Sequence, residues 1–314
     1  MSLRIGVVVN PRSRYLKRHP EAVGRLRAIL GDRGLLVETR TLDEVEPLAR
    51  RFAADGVEVV GVVGGDGTAG ILARGFSDVY GAAPLPLFAL LRGGTMNTVA
   101  NALGLPRGRP EAQLARLLEV TRGRVRPAVV ERPTLDAHGR LGFLFGTGVF
   151  YNFLEAYYEA GHDDPSAVTA VETISRMAAS VLVRGPLARR LVHPHAAVVT
   201  HDGVTLPERS YLTLAAGTVA EVGLGFTPFP ATRGLDEGFE FLAVHGAPVP
   251  VVRELPSFWL GRRVDPAVGF SVTAREVVIA PREGVVDYMV DGDLYASHGP
   301  LTLRAGPKVP IVRL

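Results

Sequence analysis

The chain has 314 residues, 47% of them hydrophobic and 21% charged, with a formal net charge of +3. That length suits about two domains, each able to bury a core. The lack of cysteine excludes disulfides, thiolate zinc sites and cysteine nucleophiles. No apolar run approaches a membrane span, and the basic balance falls short of a dedicated nucleic-acid binder.

The opening MSLRIGVVVNP reads as a first β-strand and not as a signal peptide, so a cytoplasmic location is expected. Leu3–Val9 is continuously apolar, as in a strand buried on both faces. Within 20–30, Ala22, Val23, Leu26, Ile29 and Leu30 recur at helical spacing, and Gly31 and Gly34 stop that helix. Leu35–Thr39 is strand-like. Thr41 and Glu44 have capping-box spacing and predict a helix through about Ala54. Val57–Val63 is strand-like, Thr68–Phe76 helical, and Pro86–Leu91 strand-like again. RGGTMNTVANALGLP then reads as a loop into a helix. Such alternation predicts a mostly parallel sheet covered on both faces. The loops at 10–13, 64–68 and 93–97 each follow a strand, so they fall on the carboxyl edge where such sheets bind ligands.

Near Pro127 the character changes. Short apolar runs separated by turn residues follow, at Leu141–Gly146, Ala196–His201, Tyr211–Ala216, Phe239–Val244, Ser271–Ala280 and Val285–Asp291. They predict an antiparallel β domain. One helix is expected over Ser166–Val183, capped from His162-Asp163-Asp164. The division expected is 1–127, with 305–314 returning to it, and 128–304.

Gly64-Gly65-Asp66-Gly67-Thr68 admits two readings. Its glycines let successive N–H groups face one concavity, an anion nest reinforced by the following helix; Asp66 then holds a metal or orients a network. Alternatively it is a strand-to-helix turn with Thr68 as the cap. No GxxxxGK[ST] stretch accompanies it, which excludes a standard P-loop. Gly93-Gly94-Thr95-Met96-Asn97 repeats the design, with Thr95 as a cap and Asn97 as either a surface residue or a nucleotide contact. Asn10-Pro11-Arg12-Ser13 ends the first strand, and Arg12, Arg14, Lys17 and Arg18 are either phosphate partners or a solvated basic loop. Asp291-Gly292-Asp293 is either a two-residue hairpin turn or a paired carboxylate with one member as general base. His193 and His195 flank Pro194 without further ligands at metal-binding spacing.

In this order and spacing the chain resembles the diacylglycerol kinase catalytic-domain family, bacterial lipid kinases related to sphingosine and ceramide kinases. Asn10 to Ser13, Gly64 to Thr68, Gly94-Thr95-Met96-Asn97 with ANALGLP, the segment around Asp236-Glu237-Gly238, and VDYMVDGDLY carry the likeness. The resemblance implies a three-layer α/β N-terminal domain, a β-sandwich C-terminal domain and an active site in the cleft between them. It implies ATP, Mg²⁺ and transfer of the γ-phosphoryl group to a lipid hydroxyl, diacylglycerol-like first, ceramide or a sphingoid base second. Asp291 is then the base, paired with Asp293. Asn10, Pro11, Arg12, Ser13, Gly64, Gly65, Asp66, Gly67, Thr68, Gly94, Thr95 and Asn97 hold the nucleotide, and Asp66 is the metal candidate.

Three residues depart from the family pattern: Arg14 for a glycine, Thr98 for an aspartate that in some members helps organise an Mg²⁺–water network, and Asp293 for a glutamate. The Gly-Gly-Asp-Gly-Thr element is shared with NAD kinases, so a soluble acceptor is one alternative; an inactive nucleotide- or lipid-binding protein is another. Phe150, Tyr151, Phe153 and Tyr157 are candidates for acceptor selection. The expected partner is a lipid at a membrane surface, met by peripheral association through the basic helix end VLVRGPLARR, whose plainer reading is a packed helix with solvated arginines. A homodimer is compatible with the sequence.

Overall fold

The computed structural model describes residues 3–123, 127–161, 167–282 and 284–314. The cap expected from His162, Asp163 and Asp164 lies outside them, as does Ser166. The chain forms two compact units, Met1–Arg132 with Pro307–Leu314, and Pro133–Gly306.

In the first unit, β1 (Ile5–Val9), β2 (Gly34–Glu38), β3 (Val59–Val63) and β4 (Leu87–Leu90) form a parallel sheet in the order β2-β1-β3-β4. The chain's last strand extends it, with Ile311 pairing in parallel with Phe88. The valine runs are explained by burial on both faces. On one face, helices Ala22–Leu30 and Pro110–Arg122 pack Leu26, Leu30, Leu114 and Leu117 against Ile5, Val7 and Val9. On the other, helices Val45–Ala54 and Asp66–Tyr80 bring Phe52 and Phe76 together edge to face, and Phe76 meets Phe88 the same way. Gly6 is required there, because a Cβ would lie 2.3 Å from the Phe52 ring.

Three boundaries differ from the sequence reading. The helix after β3 starts at Asp66 with Gly65 as its cap, so Thr68 lies inside the first turn. Thr41 does not cap the Val45–Ala54 helix; Glu44 does, and its carboxylate accepts the Arg40 N–H at 2.7 Å. The Pro110–Arg122 helix was not anticipated, although proline at its first position and Leu114, Leu117 and Leu118 are ordinary helix signals.

The second unit is antiparallel. Its strands are β5 (Val129–Ala137), β6 (Arg140–Gly142), β7 (Leu144–Thr147), β8 (His195–His201), β9 (Val204–Thr205), β10 (Arg209–Gly217), β11 (Phe239–His245), β12 (Gly269–Ala274), β13 (Glu276–Pro281), β14 (Val285–Val290), β15 (Asp293–His298) and β16 (Leu301–Val312). β5 begins before the boundary at Arg132, and β16 runs on into the last strand of the first unit. The main order is β15-β14-β7-β10-β8-β13-β16, with β11 and β12 added alongside β10. Phe145, Tyr211, Leu214, Phe239, Phe241, Ile279 and Leu303 fill its core. Helices Val149–Gly161, Ala167–Leu182 and Pro186–Leu191 separate β7 from β8. Of these only the middle one was expected. No helix among the described residues is long and apolar enough to cross a membrane.

Glu240 is buried in β11, 2% exposed, where its carboxylate accepts the Ala231 N–H at 2.7 Å and the Ser271 hydroxyl. Burial pushes its carboxyl up, and these donors pull it partly back. The folded state therefore binds this proton more tightly than the unfolded chain. The resulting stability is present below the ordinary carboxyl value and is lost as pH rises through the raised one. Glu240→Gln keeps an acceptor for Ala231 and offers a donor to Ser271. It is expected to stabilise the protein by on the order of 1 kcal/mol at pH 8 and to have little effect at pH 4, as read by chemical denaturation at both values.

Candidate active site

Parallel register brings three loops to one edge of the first unit. Val9 pairs with Val63, and Val62 pairs with Leu90, so β1, β3 and β4 end together. The loops are then stitched directly: the Asn10 N–H donates to Val63 O at 3.0 Å, the Gly93 N–H to Gly64 O at 2.8 Å, and the Tyr15 N–H to Gly93 O at 3.1 Å. Asn10 Nδ2 donates to Thr68 Oγ1 at 2.9 Å, and Asn10 Oδ1 accepts the Arg12 N–H at the same distance. Glycine is needed because the backbones touch. A Cβ on Gly94 would lie 2.5 Å from Gly65 Cα, and one on Gly93 would lie 2.9 Å from Gly64 N. The buried Ser13 hydroxyl has no hydrogen-bond partner among the described residues. First-turn helical N–H groups at Asp66 to Thr68, which lack intrahelical acceptors, the glycine backbone and this hydroxyl are the donor set an anion requires.

Asp66 is engaged by the backbone of the next loop. Its Oδ2 accepts the Thr98 N–H at 2.7 Å and its Oδ1 the Val99 N–H at 3.1 Å, so both oxygens hold the start of the Thr98–Ala102 helix. Burial pushes this carboxyl up, while the two N–H donors pull it down. Among the described residues no group of three or more histidine, aspartate or glutamate side chains is placed to hold a metal ion. Asp66→Ala is expected to cost about 1–2 kcal/mol of stability by orphaning these donors, measured by denaturation. Mg²⁺ without nucleotide is expected to leave Tm unchanged; a saturable rise that Asp66→Ala abolishes would restore the metal reading.

Asn97 is likewise turned inward. It adopts a left-handed backbone, φ 49°, and its amide closes a ring with Gly94, accepting the Gly94 N–H at 3.1 Å and donating to Gly94 O at 2.9 Å. Its side chain thus shapes the loop, with Thr95 and Met96 half-buried at the tip. Arg92 braces the following segment by donating to Pro106 O, Leu105 O and Asn101 Oδ1 at 2.6–2.8 Å. Arg12 is exposed beside the loops.

In the second unit the turn reading of Asp291-Gly292 holds. The pair forms the two-residue turn between β14 and β15, with φ of 49° and 97°. The turn aims the Asp291 carboxylate at the neighbouring strand. Oδ1 accepts the Phe143 N–H at 3.0 Å and the Leu144 N–H at 2.9 Å. Gly142 leaves room for it, since a Cβ there would lie 2.8 Å from Asp291 Oδ2. Burial pushes the neighbouring Asp293 carboxyl up, and the charge of Arg140 draws it back.

Four residues given no role by the sequence reading surround this turn. Tyr158 donates its hydroxyl to Gly292 O at 2.9 Å, and burial, aided by Asp293, pushes its phenol up to about 12, so the donor proton stays on. Arg140 lies over the Tyr295 ring, 3.9 Å from its centroid, and its Nε donates to the Tyr288 hydroxyl at 3.3 Å. Of the expected acceptor-selecting aromatics, Phe153 and Tyr157 stack at 6.0 Å on the Val149–Gly161 helix, and Phe150 packs over Gly146. His195 lines a separate cavity of about 460 Å³ with Thr147, Asn152, Arg282 and Asp287; burial pushes its imidazole down.

Residues 4–130 match the family described as "Diacylglycerol kinase catalytic domain". Over these residues the chain is similar to that family. The stitched glycine loops lie within the matched stretch. Solved structures similar to this chain share the fold. A diacylglycerol kinase from Bacillus anthracis str. Sterne is 16% identical, with a TM-score of 0.67, covering 100% of this chain and 97% of that one. Two structures of a candidate diacylglycerol kinase from the same organism are each 18% identical, with TM-scores of 0.72 and 0.71, covering 100% of this chain and 98% of theirs. None of the curated protein sequences matches the chain.

Proposed function

We propose that the protein is an ATP-dependent lipid kinase of the diacylglycerol kinase type. The observation that carries this reading is the match to that catalytic-domain family over residues 4–130, which contain the stitched glycine loops. The Gly64 to Thr68 and Gly93 to Asn97 backbones, with Asn10 and the Ser13 hydroxyl, hold the nucleotide phosphates; Pro11 and Arg12 flank them. Asp291 accepts the proton of the acceptor hydroxyl, oriented by the Phe143 and Leu144 N–H groups. A carboxylate has about four acceptor positions, so it can hold these donors and still take a proton. Phosphoryl transfer asks for positioning and charge stabilisation rather than covalent help.

Among the described residues no group of three or more histidine, aspartate or glutamate side chains is placed to hold magnesium, and Thr98 stands where some members of the similar family carry an aspartate. Magnesium in this scheme accompanies the nucleotide. The lipid acceptor draws support from the antiparallel second unit, which bears the aspartate turn, and from Val168, Val171, Leu182 and Val183, all exposed along and just after one helix that leads to Arg184 and Arg189. The experiment is ATP turnover with diacylglycerol, ceramide, a sphingoid base and monoacylglycerol in mixed micelles, with NAD as a soluble acceptor. Lipid-dependent turnover is the expected result. Phosphorylation of NAD, or ATP binding without turnover on any acceptor, would replace the reading.

A further inference from the structure

We propose that Arg140 binds the phosphoryl group as it is transferred at Asp291, a role that rests on the kinase reading above. A two-residue turn fixes its start: His138 and Gly139 have φ of 53° and 86°, and Asp136 Oδ1 accepts the Gly139 N–H at 2.6 Å. Arg140 then opens β6, paired with Ala137. Side chains alternate along a strand, so Arg140 and Gly142 face the same way, about 7 Å apart. The Asp291 carboxylate fills the space on that side of Gly142. The cation is thus one strand step from the base.

Its guanidinium is also held ready. Tyr288 and Tyr295 pair directly across β14 and β15, with rings 5.5 Å apart. Tyr295 supports the flat of the guanidinium and Tyr288 accepts from Nε. No carboxylate lies within 4.0 Å of Arg140 among the described residues, whereas Arg25, Arg50, Arg74 and Arg304 are all ion-paired. Its terminal N–H groups have no hydrogen-bond partner among those residues. A planar fork with open donors matches two phosphate oxygens. The chemistry requires a cation here, because Asp291 and Asp293 repel an incoming phosphoryl group. In the step, the acceptor oxygen bonds to the γ-phosphorus and its proton passes to Asp291. The bond from phosphorus to the β,γ-bridging oxygen breaks, its electron pair leaving on ADP. Arg140 donates to non-bridging oxygens throughout.

The test compares Arg140→Ala, Arg140→Lys and Tyr288→Phe with the wild type, using the lipid that the wild type phosphorylates and recording Tm for each. Arg140→Ala is expected to lower kcat by about 10²–10³-fold with little change in lipid KM, and guanidinium ion in the buffer is expected to restore part of the rate. Arg140→Lys is expected to recover only partly, since a point charge lacks the fork. Tyr288→Phe is expected to fall between Arg140→Ala and wild type. If Arg140→Ala loses its fold, Arg140→Lys decides: a tenfold or larger drop in kcat at unchanged Tm supports the role, and a rate within twofold of wild type overturns it. A rate for Arg140→Ala within twofold of wild type overturns it as well. A wild type that phosphorylates no lipid fails the kinase reading itself and takes this role with it.

Discussion

Asp291→Asn is expected to lower kcat for lipid phosphorylation by about 10²–10⁴-fold, the range lost with a general base, while Tm moves by only a few degrees. The substitution suits this position. Asparagine tolerates the left-handed backbone that the turn imposes at φ 49°. Its Oδ1 can accept the Phe143 and Leu144 N–H groups as the aspartate does. The negative charge and the ability to take a proton are removed. Steady-state kinetics beside a thermal melt separate the two effects, since a folding defect would appear in both. Unchanged kcat would remove Asp291 from the chemistry and leave it as a turn residue.

Gly94→Val is expected to weaken ATP binding by about tenfold to a hundredfold, as read by calorimetry. The new Cβ would meet the Gly65 Cα at 2.5 Å, and backbone cannot step aside as a side-chain end can. Overpacking of this kind costs about 1–3 kcal/mol, and here the displaced atoms belong to the proposed cradle itself. Gly24→Ala is the control. That glycine is exposed in the Ala22–Leu30 helix with nothing within 4 Å of a new Cβ. The control is expected to gain about 0.5–1 kcal/mol of stability and to bind ATP as before. Equal ATP affinity in both variants would place the nucleotide elsewhere.

The architecture was readable because it follows from short-range patterns. Apolar runs bounded by glycine and proline marked β1, β3 and β4, and their alternation with helical spacing implied the parallel sheet and hence the shared loop edge. The roles within the loops were not readable, because they depend on contacts between residues far apart in sequence. That Asp66 holds the Thr98 and Val99 N–H groups, more than thirty positions on, is written in no local pattern. Asp291-Gly292 offered a turn or a carboxylate as rivals, yet the turn is what aims the carboxylate. Arg140 lies 148 positions before Tyr288 and further still before Tyr295, and no local pattern links it to them. The Val149–Gly161 helix was missed because its aromatic-rich sequence carries weak helix preference.

The central claim is tested most directly by following the γ-phosphate. Incubation with ATP labelled at that position, in micelles of each candidate lipid, is followed by extraction into organic solvent. The account predicts label in a lipid product with the wild type and almost none with Asp291→Asn. Label that stays in water as inorganic phosphate or NADP, for every lipid offered, would contradict it.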